Sequence, residues 1–193
     1  MLASINPLGE RARGQHYWVT VAAYVVASTV AAALLGALLG WAGAPLPRAA
    51  IAIVGVVALV ALLAERFGVR VPGPRRQVNE NWLVSYRGWV YGAGFGAQLG
   101  LAFVTIVTAS ATWIAFACAL LAGSTVGGAL VGAVFGLVRA LPILSGARVR
   151  DPESLRALVR RLDRVRPRVA TVTAAVQGVS ALGLVALAIG HVA

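Results

Sequence analysis

The chain has no lysine, a single cysteine, two histidines and only six acidic residues. Each shortage removes a class of chemistry. One thiol, Cys118, cannot close an intramolecular disulfide, form a CxxC redox pair or build a cysteine-rich metal site. In its apolar run it reads as a small buried side chain. His16 and His191 stand at opposite ends of the chain and fall on opposite faces of the topology derived below, so they cannot share a metal. No metal and no cofactor is expected. No GxxxxGK[ST], HExxH or GxSxG pattern occurs, which removes ATPase and hydrolase readings. Gly92-Ala93-Gly94-Phe95-Gly96 lies inside an apolar run and does not follow a strand, so it is not a dinucleotide fingerprint. The expectation is a non-enzyme.

Charge itself is scarce. Charged residues make up 12% of the chain, against about a quarter in a soluble domain. Hydrophobic residues make up 60%, and the mean hydropathy is +0.85. From Gly88 to Val138 no charged residue occurs. Apolar runs of this length belong in lipid. An all-α, polytopic transmembrane bundle of about five spans follows, forming one transmembrane domain over 1–193. The spans are placed at about 17–41, 48–64, 88–122, 124–144 and 169–191. The 88–122 segment is either continuous or broken near Thr108–Thr112, where the run turns weakly polar. The first apolar run is much longer than a signal-peptide core of about 7–15 residues and reads as a retained span.

The 17 basic residues are all arginine and concentrate in two connections, 65–87 and 145–168, with Arg139 just ahead of the second. From Glu65 to Arg87 five arginines face two glutamates; from Arg139 to Arg168 nine arginines face three acids. Five crossings put both connections and the N-terminal Arg11 and Arg13 on one side. The positive-inside rule makes that side cytoplasmic and the C-terminus external. The setting is the bacterial cytoplasmic membrane. Arginines that flank apolar spans meet anionic lipid headgroups, so the net charge of +11 does not imply nucleic acid.

Asp151-Pro152-Glu153 opens a helix: Asp caps, Pro suits the first turn, and acid favours the positive end of the dipole. Leu155, Leu158, Val159, Leu162 and Val165 follow helical spacing, with Arg156, Arg160, Arg161 and Arg164 placed to meet lipid phosphate. Pro167 is expected to end this amphipathic helix, which either lies in the interface or packs beneath the bundle.

Glycines recur every fourth residue: Gly36 and Gly40; Gly92, Gly96 and Gly100; Gly128, Gly132 and Gly136. Such spacing brings helix backbones together in lipid, and the second and third ladders are expected to pair with each other. Opposite the Gly92 ladder, at about 160–240° on a helical projection, lie Gln98, Thr105, Thr108 and Thr112, the candidate substrate path. Threonine can satisfy its hydroxyl on its own helix, whereas Gln98 needs a partner or a wet cavity. Asn79, Glu80, Asn81, Trp82 and Arg87, with Tyr86 and Trp89, read either as an aromatic belt with a polar anchor or as a cytoplasmic docking site.

The run from Arg76 through Trp82 and Tyr86 to Gly96 resembles a group of small actinobacterial polytopic membrane proteins. More remotely, Gly92 to Leu141 is similar to the repeat of the transmembrane thiol-electron carriers of the DsbD/CcdA kind. That resemblance implies helix packing only. Those carriers place a Pro-Cys pair in a helix break, where this chain reads Phe103-Val104-Thr105-Ile106-Val107-Thr108.

The function these features favour is an accessory or assembly subunit of a membrane complex, with a membrane-protein partner or a second copy. The alternative is a small transporter with a Gln/Thr-lined path. The topology has a direct test: a periplasm-active reporter fused after Ala193 is expected to be active. An inactive fusion would mean an even number of crossings.

Overall fold

The computed structural model describes residues 5–47, 49–67, 82–102 and 111–190, and every regular element among them is helical. In chain order these are α1 (Pro7–Ala12), α2 (Tyr17–Gly43), α3 (Ala49–Arg66), α4 (Trp82–Ser85), α5 (Gly88–Leu101), α6 (Ala111–Leu121), α7 (Thr125–Ala140), a 3-10 helix (Leu141–Arg148) and α8 (Pro152–Gly190). Among the described residues, two stretches, Tyr17–Gly43 and Thr125–Arg148, are long and apolar enough to cross a membrane.

Helix α2 organises the bundle. Its buried residues are Tyr17, Thr20, Val21, Tyr24, Ser28, Ala32, Gly36, Gly40 and Gly43, a stripe that narrows from phenol rings to bare backbone along the helix. Helix α5 lies beside the first half of this stripe. A Cβ on Gly92, Gly96 or Gly100 would strike the carbonyl oxygens of Thr20, Tyr24 and Ser28 in turn. Helix α7 runs antiparallel along the second half, where a Cβ on Gly128, Gly132 or Gly136 would overlap the carbonyls of Gly36, Ala32 and Ser28. The two later ladders therefore do not pair with each other. Both close on α2: α7 on its small residues Ser28, Ala32, Gly36 and Gly40, and α5 on the carbonyls of Thr20, Tyr24 and Ser28. Ser28 Oγ donates to the Gly136 carbonyl at 3.0 Å and fastens α2 to α7 at the point where all three helices meet.

Helices α5 and α6 are short, about 21 and 16 Å long at 1.5 Å per residue. Both run parallel to α2, one after the other. Gly92, Gly96 and Gly100 track Thr20, Tyr24 and Ser28, while Leu120 near the end of α6 reaches Gly43. Ala102 closes α5 at φ 54°, an uncommon conformation for a residue with a Cβ. The break thus begins at Leu101, ahead of the weakly polar run; residues 103–110, including Thr105 and Thr108, lie outside the described residues. Asn79, Glu80 and Asn81 lie outside them as well.

Local chemistry sets the other boundaries. Ser124 accepts from the Gly127 amide at 3.1 Å and starts α7. Pro142 has no N–H to offer Val138, and the chain tightens there from α to 3-10 geometry. At Asp151 the carboxylate caps the Ser154 amide at 2.7 Å. Helix α8 departs from expectation beyond that cap. It continues through Pro167 to Gly190, so the amphipathic segment and the last apolar segment are one helix. The proline removes one backbone bond, but helix-forming residues on both sides keep their own, and Thr171 Oγ1 bonds the Pro167 carbonyl at 3.1 Å. Helices α3 and α8 pack together and join the core through α6 and the 3-10 helix.

Replacing Gly96 or Gly132 by alanine should lower stability by about 1–3 kcal/mol, because rigid backbone stands where the methyl would go. Gly183→Ala meets nothing within 4 Å and should be neutral or mildly stabilising. Thermal unfolding in mild detergent checks this; equal responses from all three would contradict the packing described.

Candidate functional site

A buried polar cluster lies where α1, α2 and α5 come together. Asn6 caps α1, its Oδ1 accepting from the Gly9 amide at 2.9 Å, and Pro7 supplies the first turn. This short helix places Glu10 in the interior with 0% exposure. Three donors converge on its carboxylate. Thr20 Oγ1 donates at 2.8 Å, the Tyr91 hydroxyl lies 2.6 Å from both oxygens, and Arg13 Nη2 lies 2.5 Å from Oε1. Tyr91 is itself fully buried. The Arg13 guanidinium lies 5.8 Å from the centre of the Tyr91 ring and keeps 26% exposure. Burial works against its charge, but hydrogen bonds and attraction from Glu10 and Tyr91 outweigh this and raise its pKa above the ordinary arginine value.

The same segment fastens two further elements. Gln15 Oε1 accepts from the Gly88 amide at 2.8 Å, capping α5 from another part of the chain where its own N-cap, Arg87, makes no side-chain cap. The Tyr17 hydroxyl donates to the Ile143 carbonyl of the 3-10 helix at 3.1 Å. Ile5, Tyr17, Val21, Tyr24, Tyr91, Phe95, Ala140 and Ile143 form the apolar body around these bonds. The arrangement is a clamp holding the starts of α2 and α5 against the end of α7. Sequence reasoning treated Glu10 and Arg13 as tail charges. The readable signal was Asn6-Pro7 as a helix start, but partners 81 residues apart leave no local trace.

A second polar group sits deeper. Arg139, near the end of α7, donates from Nη1 to Thr112 Oγ1 at 3.3 Å and lies 5.5 Å from the Phe135 ring centre. Thr112 is buried in the first turn of α6. Of the expected substrate path, then, Thr112 is engaged by a cation, and Gln98 is half-buried on α5. From the proposed docking segment, Trp82 packs inward, stacked on Phe95 at 5.9 Å and lying over Gly94, whereas Arg87 is exposed. Arg156, Arg160, Arg161 and Arg164 are exposed along α8. Among the described residues no group of three or more His, Cys, Asp or Glu could hold a metal ion.

No family model matches the chain, and no solved structure matches it. It is similar to the methylamine utilization protein MauF of Paracoccus versutus, 29% identical over 151 residues. The match covers 74% of this chain and 55% of MauF, so the chain spans little more than half of that relative.

Glu10→Ala should cost about 3–5 kcal/mol, since it leaves Arg13 and two hydroxyls without their acceptor. Tyr91→Phe removes one neutral donor and should cost about 1–3 kcal/mol. Thermal unfolding in detergent separates the two. A Glu10→Ala protein as stable as the parent would mean that the clamp does not hold the bundle.

Proposed function

We propose that the chain is a multi-pass protein of the bacterial cytoplasmic membrane, acting there as a non-enzymatic accessory or assembly subunit of a larger complex. In this reading α2, α3, α7 and the apolar part of α8 cross, and α5 with α6 makes one discontinuous crossing. The outward face of α2 supports the membrane setting. Trp18 and Trp41 are 64% and 69% exposed, with Val19, Val26, Val30, Leu34 and Leu38 exposed between them. Their separation along the helix is about 34 Å, matching two aromatic belts around a hydrocarbon core of about 30 Å. The arginine-rich connections then face the cytoplasm and anionic headgroups.

The observation that carries the accessory role is the close backbone packing around α2. Helices α5 and α7 meet α2 largely by backbone. The space lined by Ala32, Gly36, Ala115, Phe116, Ala119, Gly132 and Phe135 is about 10 Å³, room for one water at most. MauF is named for methylamine utilization, and that likeness supports a partner that works in methylamine utilization. The test is extraction of the full chain in mild detergent followed by native mass spectrometry. A stoichiometric protein partner is the expected result; a homogeneous monomer or homodimer carrying only lipid would overturn it.

One observation favours the transporter reading. Helix α5 stops about halfway along α2 and α6 resumes the same direction, the arrangement from which many carriers build ligand sites. Under that reading Gln98→Leu abolishes flux; under the accessory reading it leaves complex assembly intact.

A further inference from the structure

Arg139 is a positive charge in neutral company. Its guanidinium is half-buried, and the groups around it are the Thr112 hydroxyl, the Phe135 ring and the Tyr24 phenol, which lies close enough on α2 to interact electrostatically. None of these balances its charge. The nearest stretches of sequence offer no acid either, since 88–138 is uncharged throughout. Among the described residues the ion pair is Glu10 with Arg13, made in the clamp. Charge withdrawn from water without a counter-ion is unfavourable, and in a lipid-embedded bundle such a residue marks a place where an anion is met.

The donors say which anion. A guanidinium fork pairs with two oxygens of an oxyanion and leaves the adjoining hydroxyls to reach others. Thr112 Oγ1 accepts from Arg139 and keeps its own O–H to donate, and Tyr24 on α2 lies within electrostatic range of the guanidinium. The guanidinium fork and the Thr112 hydroxyl already offer three donors, with the Tyr24 phenol in range. Three or more donors suit a phosphate better than a carboxylate with two oxygens. The partial exposure of Arg139 leaves an approach open. We propose that Arg139, Thr112 and Tyr24 form a seat for one phosphate or phosphodiester group where the start of α6 meets the end of α7. The group comes either from a phospholipid headgroup or from free phosphate. The seat rests on the membrane reading above but not on the accessory role.

The test uses the full chain purified in a neutral detergent, with two probes: phosphatidylglycerol, followed by native mass spectrometry, and inorganic phosphate, followed by titration calorimetry. The parent should hold one equivalent of one probe. Retained phosphatidylglycerol with a silent phosphate titration assigns the lipid source, and the reverse pattern assigns free phosphate. Arg139→Gln should weaken that binding by at least about tenfold, with Arg139→Lys falling between. Tyr24→Phe and Thr112→Val each remove one neutral donor and should weaken it several-fold. These two variants also carry the test if Arg139→Gln does not fold. A parent that binds neither probe, or variants that bind both as the parent does, would overturn the proposal.

Discussion

Packed helices ordinarily keep their axes about 8–10 Å apart, because side chains fill the space between them. Along α2 that space is removed, and the rest of the structure depends on its removal. Once the carbonyls of Thr20, Tyr24, Ser28, Ala32 and Gly36 touch neighbouring backbone, α5 and α7 have little freedom to slide or rotate. In lipid this matters more than in water, because burying apolar surface against another helix gains little over burying it against acyl chains. What remains is dispersion at short range and the few hydrogen bonds that survive there, such as Ser28 to Gly136.

Close contact explains why polar groups collect at one end of the bundle. The stripe of α2 broadens toward its start, where Tyr17, Thr20 and Tyr24 replace glycine; α5 still meets the backbone there through Gly92 and Gly96, while the phenol rings hold other neighbours off. That widening makes room for Glu10, Arg13, Gln15 and Tyr91, which complete each other's hydrogen bonds and fasten the loose helix starts. Backbone contact thus sets the spacing to α5 and α7 in both halves, and polar contact adds the fastening at the helix starts. Arg139 lies between the two regimes, with phenol on one side and the first turn of α6 on the other.

Much of this was legible in the sequence where the cause is local. Ser124, Pro142 and Asp151-Pro152 mark boundaries through their own hydrogen-bonding limits, and the helices begin or change there. The ladder glycines announce close approach, since four-residue spacing has few other uses in lipid. Which surface they approach was not legible. The receiving stripe on α2 is partly Ser and Ala and gives a weaker pattern than the ladders themselves. Glu10 was missed for a related reason: a lone acid among arginines at the start of a chain looks solvated, and its burial depends on Tyr91, which becomes its neighbour only after folding. Pro167 shows the opposite failure, a strong local rule overridden by continuity on both sides.

The narrow half of α2 has an evolutionary consequence. Every single-nucleotide change that alters a glycine codon to another amino acid adds at least a methyl group. At Gly36, Gly40, Gly128 and Gly132 that methyl has only backbone to displace. These positions are closed to neutral drift, and a mutation at one cannot be rescued by trimming a facing side chain, because none faces it. The outer face, with its exposed valines and leucines, can exchange one apolar residue for another freely. Descendants of this chain should therefore diverge from the outside inward, keeping their glycines long after most of their outward-facing residues have been replaced.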